Sequence, residues 1–278
     1  MRTQTEAAPS GSGSRVGRAL GWAIVPLAAL ASLGGLVLPD LYREPAELAA
    51  QMRGQDLVTL LAAIVLAGAL AAARRGSARA GVLLVGLLGY FVYTYVGAAF
   101  AYALNELFLV YVALFSFSGF ALAATVAASD PSQVAGAFGP RTPRRSVAVF
   151  LVVVGVMLAA LWLSQIVPFL VTGRLPAGIA EGGNFQYVYA LDLGVMVPLA
   201  LLGAAWLWRR REWGYILAGY VLVKAAAMGL ALLAMTGFSL RAGLPVEGGL
   251  TAVWGLIAAA GTGLSGWFLR HCRGQPGA

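Results

Sequence analysis

Lys224 is the residue whose chemistry fits its surroundings least. It is the only lysine in the 278-residue chain, and it lies inside Trp213–Thr236, which is otherwise apolar except for two tyrosines and the terminal threonine. At roughly 1.5 Å per residue it lies about 16 Å along a helix from Trp213, near the middle of a bilayer core about 30 Å thick. A charged group at that depth costs on the order of 2.5–3.5 kcal/mol. We therefore expect Lys224 to face the interior of a helix bundle and to have an anionic partner.

Carboxylates within predicted membrane segments are the natural partners of Lys224. Of the eleven acidic residues, three lie in such segments: Asp56, Glu106 and Asp192. Asp56 is at the very start of its segment, which indicates an interfacial position. A buried ammonium and buried carboxylates offset one another's desolvation only where they meet. The sequence therefore predicts that Glu106, Asp192 and Lys224 approach each other in the folded bundle.

Polar side chains accompany these three charges. Each charge has a tyrosine three or four residues before it, which places a phenol on the same helix face. The candidate binding or ion-path residues are Glu106, Asp192, Lys224, Asn105, Gln165, Tyr90, Tyr93, Tyr102, Tyr189 and Tyr220. Three interpretations remain open: a hydrated pocket or ion pathway, a buried salt-bridge network that only fixes helix packing, and carboxylates that simply lie at the membrane interface. The tyrosines near the outer boundary are first of all typical of an aromatic belt, with ligand contacts as the alternative.

No catalytic residue, metal site or cofactor is predicted. The single cysteine, Cys272, and the single histidine, His271, both lie at the C-terminus. One chain cannot build a disulfide, a bis-histidine haem site or a zinc site from them. The sequence contains no nucleotide-binding loop and no HExxH or GxSxG motif. A retinal Schiff base on Lys224, with one of the two acids as counter-ion, is disfavoured by the number of membrane segments.

The composition is that of an integral membrane protein. The chain is 60% hydrophobic and 11% charged, with a mean hydropathy of +0.82, which is too apolar for one soluble core. The formal net charge of +8 comes from arginines between the apolar segments, where they act as topology signals. Nucleic acid is therefore not an expected partner. Eighteen arginines against one lysine also suggest a GC-rich bacterial genome.

Eight apolar segments are each near the length of about 20 residues that crosses a bilayer as a helix. They are 19–38, 55–73, 80–99, 103–127, 146–171, 187–208, 213–236 and 249–270. The predicted fold is an all-α, polytopic bundle of eight transmembrane helices at 19–270, between a disordered cytoplasmic tail at 1–18 and a short cytoplasmic tail at 271–278. Cleavage of the first segment as a signal peptide is the alternative, although its apolar run continues past the small residues that would mark the cleavage site.

The arginines predict the orientation of the bundle. Those before, between and after the segments sum to 14 in one alternating set of loops and to 4 in the other. The positive-inside rule places the first set, with both termini, in the cytoplasm. The expected location is the plasma membrane. On this orientation the polar residues of the segments gather on the extracytoplasmic side.

Three classes of function fit this pattern. The first, which we favour, is binding or transport of a proton, an ion or a small solute through the outer polar zone. The second is a scaffold or partner subunit whose buried charges only set helix packing. The third is an enzyme acting on a lipid-linked substrate at the outer face, where Asp40, Glu44 and Glu47 of the loop at 39–54 offer carboxylates. The expected partners are the lipid bilayer and a small solute or ion, and the sequence carries no signal of oligomeric state.

Overall fold

A computed structural model describes residues 10–180 and 186–272, and within these ranges the chain is helical, without a β-strand. The helices are α1 (Ser10–Val37), α2 (Ala46–Ala73), α3 (Ala78–Phe100), α4 (Phe108–Ala127), α5 (Pro131–Gly136), α6 (Arg144–Thr172), α7 (Ala177–Ala180), α8 (Gln186–Leu191), α9 (Val197–Trp208), α10 (Glu212–Arg241) and α11 (Gly248–Arg270). A π-helical turn at Asp192–Met196 joins α8 to α9, so that Gln186–Trp208 forms one membrane-length helix. The parts of the predicted tails at 1–9 and 273–278 lie outside the described residues.

Eight helices in the described part of the chain are long and apolar enough to cross a membrane, which confirms the predicted all-α fold and the number of membrane helices. The largest differences are at helix starts, and α10 also continues past the predicted end at 236 to Arg241. Helix α1 begins at Ser10, inside the predicted tail, and α2 begins at Ala46, well before residue 55. Pro45 precedes α2, and proline favours the start of a helix because its φ is already helical. Helix α4 begins at Phe108 and not at 103, which leaves the preceding residues in a loop.

Helix α10 is the element around which the others are arranged. It packs against α2, α3, α9 and α11. Helix α1 packs against α2 and α4, and α3 packs against α4, so that the first four membrane helices form one group. A hydrophobic core lies within α1–α4 and another among α6, α9, α10 and α11, and α10 contributes buried residues to both.

Two glycines let α10 approach its neighbours closely. A Cβ at Gly54 of α2 would overlap with the backbone of Met235, and a Cβ at Gly214 of α10 would overlap with the backbone of Leu207 in α9. A larger residue at either position would force the helices apart. These contacts hold α10 near its two ends, and Lys224 lies between them.

Candidate functional site

A cavity of about 580 Å³ lies beside the middle and the C-terminal part of α10. Its wall is formed by α2, α3, α6, α8, the π-helical turn, α10 and α11. It extends from Lys224 and Asp192 to Glu47 and Glu247, which lie where α2 and α11 begin. The volume is in the range of roughly 300–1,000 Å³ that is typical of small-molecule sites.

Asp192 is the buried acid of this cavity, with 3% of its surface exposed. Its carboxylate accepts a hydrogen bond from the Tyr93 hydroxyl, 3.0 Å from Oδ1, and another from the indole N–H of Trp162, 2.8 Å from Oδ2. Both carboxylate oxygens therefore have a neutral donor, and the side chain is held in one orientation. Asp192 also begins the π-helical turn, in which its carbonyl accepts the N–H of Val197. Such turns are rare and occur frequently at functional sites.

Lys224 lies on the same cavity, with 4% of its surface exposed. Its Nζ is 3.5 Å from the centroid of the Tyr93 ring, which is a cation–π contact. Among the described residues Lys224 forms no ion pair with Asp192 within 4.0 Å. Tyr93 connects the two charges, because its ring contacts the ammonium and its hydroxyl contacts the carboxylate.

Glu106 does not belong to this site, and the prediction that it approaches Lys224 is wrong. It lies in the loop before α4, where its carboxylate is 2.7 Å from Nη2 of Arg43 and the two side chains are 65% and 54% exposed. Asn105 lies in the same loop, where its side-chain oxygen accepts a hydrogen bond from the N–H of Leu107. This local bond favours a turn over an earlier start of α4. Glu106 is therefore outside the helix and finds its partner in the neighbouring loop.

The other predicted residues on α3 and the loop that follows it are divided between the cavity wall and its support. Tyr93 and Tyr102 line the cavity, whereas Tyr90 is fully buried behind it. Gln55 of α2, which the sequence reasoning missed, also lines the cavity and donates to the Tyr90 hydroxyl at 2.6 Å. Thr59, one helical turn after Gln55, contacts the same hydroxyl at 3.0 Å. The one-turn spacing of these two polar residues is the sequence signal that could have identified this face of α2.

The remaining predicted residues support the Asp192 side of the cavity. Tyr189 donates to Gln165 at 2.7 Å, and its ring centroid is 4.7 Å from that of Trp162. Tyr220 donates to Met196, with the hydroxyl oxygen 3.8 Å from the sulfur. Tyr189 and Gln165 therefore position the indole that binds Asp192. No sequence signal distinguishes this tryptophan from the six others in the chain.

Asp56 is buried among the helices, and the interfacial depth predicted for it stays a prediction. It is 9% exposed, and its carboxylate accepts a hydrogen bond from the Tyr42 hydroxyl. Because α2 begins at Ala46, Asp56 lies about three turns inside the helix at 3.6 residues per turn. Its side chain faces α1, since a Cβ at Gly35 would overlap with its Oδ2.

The methionines are concentrated on the cavity wall. Every methionine other than Met1 lines it: Met52, Met157, Met196, Met228 and Met235. The unbranched, polarisable thioether side chain adapts to the shape of an apolar group more readily than the branched side chains do. These residues come from α2, α6, the π-helical turn and α10, so that only the folded structure brings them together.

Comparison of the chain with protein-family models, with curated proteins and with solved structures found no match. The candidate site is therefore characterised by its own geometry. It consists of an acid and an ammonium linked through one tyrosine, at the inner end of a cavity with a largely apolar wall.

Proposed function

We propose that this chain is a multi-spanning membrane protein that binds a small solute with an anionic group in the cavity beside α10. Lys224 carries the proposal. It is a buried ammonium on the cavity wall, and no described residue accepts a hydrogen bond from it. An ammonium has three N–H donors, and leaving such donors unpaired in a buried site costs free energy. A carboxylate, sulfonate or phosphate group on a solute would accept those hydrogen bonds.

The rest of the cavity indicates what the remainder of the solute would be. Five methionines and several Leu, Val and Ile side chains line it, which favours an apolar body. Asp192 already accepts hydrogen bonds from Tyr93 and Trp162, and it adds a negative charge close to Lys224. This charge favours a solute with one anionic group over a polyanion.

The test compares naphthalene-2-sulfonate with its neutral analogue naphthalene-2-sulfonamide. Purified protein is heated in detergent with each probe, and unfolding is followed with a thiol-reactive dye. The only cysteine, Cys272, is suitable as the reporter because burial raises its pKa to about 11, which keeps the folded thiol unreactive at neutral pH. A compound that binds the folded state raises the unfolding temperature. We expect a larger rise with the sulfonate than with the sulfonamide.

Three variants show whether the difference between the probes depends on Lys224. Lys224→Met should abolish the extra rise with the sulfonate, whereas Lys224→Arg should retain most of it. Arg241→Gln is the matched control, since it removes an exposed positive charge from the C-terminal end of the same helix. An unchanged difference in Lys224→Met would contradict the proposal and favour a scaffold in which the charges only set packing.

We further propose that the solute enters from the extracytoplasmic side. The alternation of arginines supports this orientation, because it assigns the loop that contains Glu247 to that side. In a Cys272→Ser background, a cysteine replacing Glu247 should react with a membrane-impermeant maleimide added to intact cells. A cysteine replacing Arg210 should react only after the cells are opened. The reverse pattern would place the Glu247 end of the cavity in the cytoplasm.

A further inference from the structure

A second buried polar site lies in the α1–α4 group, on the side of α2 that faces α1. At its centre the Asp56 carboxylate accepts a hydrogen bond from the Tyr42 hydroxyl. Gly35 makes room for this pair, because a Cβ there would overlap with both side chains. Among the described residues no arginine or lysine forms an ion pair with Asp56. The nearby Arg53 guanidinium instead donates to the carbonyl of Pro39 at 2.6 Å.

Four side chains near Asp56 carry buried polar atoms that have no hydrogen-bond partner in the described part of the chain: Ser32, Tyr95, Asn105 and Tyr111. All four are at most 7% exposed. The centroid of the Tyr111 ring is 6.3 Å from those of Tyr95 and Tyr102, and the Tyr102 ring is 6.3 Å from that of Tyr42, whose hydroxyl binds Asp56. Buried polar groups are nearly always paired, either with protein or with water. The cluster therefore has donors and acceptors that water molecules would satisfy.

We propose that Asp56 is a proton-binding site whose carboxyl group exchanges its proton with water held by these four side chains. The step is –COOH + H₂O ⇌ –COO⁻ + H₃O⁺, with no other reactant. An ionised carboxylate without a cationic partner is costly to bury at membrane depth, whereas a protonated one is not. The loops that carry Tyr42 and Asn105 place the site near the end of the bundle assigned to the extracytoplasmic side. The proton would therefore exchange with that side.

Tyr42, the hydrogen-bond donor to Asp56, keeps its proton while Asp56 exchanges one. The titratable and charged groups that face it are Tyr42, Arg53, Tyr90, Tyr95, Tyr102 and Tyr111. Burial, together with the nearby carboxylate, raises the pKa of Tyr42 above its usual value, so its hydroxyl remains a donor. Lys224, the buried charged group of α10, lies on the cavity and not at this site. In the proposal Asp56 is therefore the group of this cluster that gains and loses a proton.

The proposal does not depend on the solute, and infrared difference spectroscopy of the purified protein tests it directly. We expect a C=O stretching band of a protonated carboxylic acid that weakens as the pH is raised and shifts in heavy water. The band should be absent in Asp56→Asn and present in the matched controls Asp192→Asn and Glu106→Gln. Tyr42→Phe should shift its frequency, because the carboxyl group loses a hydrogen-bond donor.

Two results would overturn the proposal. One is a wild-type spectrum without a pH-sensitive carboxylic acid band, and the other is a band that persists in Asp56→Asn. Should Asp56→Asn fail to fold, Asp56→Glu serves in its place, because it keeps a carboxyl group but moves it relative to Tyr42. A band whose frequency is the same in Asp56→Glu and in the wild type would equally exclude Asp56 as its source.

Discussion

Asp56 and Asp192 are two buried carboxylates that the same bundle accommodates in different ways. Asp192 has two neutral donors and, on the other side of the Tyr93 ring, the ammonium of Lys224. Asp56 has the Tyr42 hydroxyl as its donor and no cation in contact among the described residues. Burial alone therefore does not determine what a membrane carboxylate does. In our proposals Asp192 balances a fixed positive charge, whereas Asp56 binds a proton.

Replacement by leucine should separate the two acids most strongly. Asp192→Leu leaves the buried Lys224 ammonium without a nearby anion and the Tyr93 and Trp162 donors without an acceptor, and an uncompensated buried charge costs roughly 3–5 kcal/mol of unfolding free energy. Asp56→Leu leaves only the Tyr42 hydroxyl unpaired and should cost about 1–3 kcal/mol. Thermal unfolding monitored at Cys272 measures both losses. Equal losses of unfolding free energy in the two variants would contradict the proposal that Asp192 balances a buried positive charge and Asp56 does not.

A double variant checks the assignment of the larger effect. Lys224→Met combined with Asp192→Leu should cost less than the sum of the two single replacements, because it removes both charges together. If the loss in the double variant equals the sum of the two single losses, the ammonium and the carboxylate do not stabilise each other across the Tyr93 ring.

Replacement by asparagine is a finer comparison, since it preserves the volume of the side chain. Asp192 accepts hydrogen bonds from two donors, Tyr93 and Trp162. Asparagine would turn its NH₂ group toward one of them, and that donor would lose its acceptor at a cost of about 1–3 kcal/mol of unfolding free energy. Asp56→Asn keeps an oxygen for Tyr42 and, if the acid is already protonated, removes no charge. Its cost should be below about 1 kcal/mol. A larger loss at Asp56 than at Asp192 would contradict the protonated state.

Gly35→Ala tests how tightly the Asp56 site is built. The new methyl group would overlap with Asp56 and Tyr42, and overpacking of this kind costs roughly 1–3 kcal/mol. Gly68→Ala, in α2, is the matched control, because a Cβ there meets nothing within 4 Å. The control should be neutral or slightly stabilising. If both variants unfold at the wild-type temperature, then the Asp56–Tyr42 contact is loose enough to move aside.

The eight membrane helices and the Lys224–Asp192 cavity differ in how far the sequence could predict them. Each membrane helix is a long apolar run, so its existence follows from composition and length. Lys224 and Asp192 could be identified because a charge within such a run is rare, and Tyr93 because it is a polar side chain in the outer half of its apolar segment. The methionines and Trp162 could not be selected, because nothing in the sequence separates them from their apolar neighbours and only the packing of α2, α6 and α9 against α10 brings them to the cavity.

Asp56 and Glu106 show why helix starts are harder to predict than helices. The residues before 55 are too polar to be counted as membrane helix, yet α2 begins at Ala46 and carries Asp56 into the bundle. The apolar run counted from 103 includes Glu106, yet the side-chain bond of Asn105 to the N–H of Leu107 accompanies a later start of α4. Pro45 precedes α2, and the Asn105 side-chain bond precedes α4, so that local chemistry and not hydropathy marks where these two helices begin.

Glu106→Gln should change the unfolding free energy least of these replacements, because it replaces an exposed acid and not a buried one. The ion pair with Arg43 is exposed to solvent, and such pairs contribute roughly 0–1 kcal/mol, which added salt screens further. We expect the variant to unfold within about 0.5 kcal/mol of the wild type in low salt, and the difference to vanish in high salt. It should leave both the sulfonate response and the infrared band unchanged. A salt-independent loss of unfolding free energy as large as that of Asp192→Asn would place Glu106 in a buried network. The exposure of a carboxylate in the structure would then not predict how much that carboxylate contributes to stability.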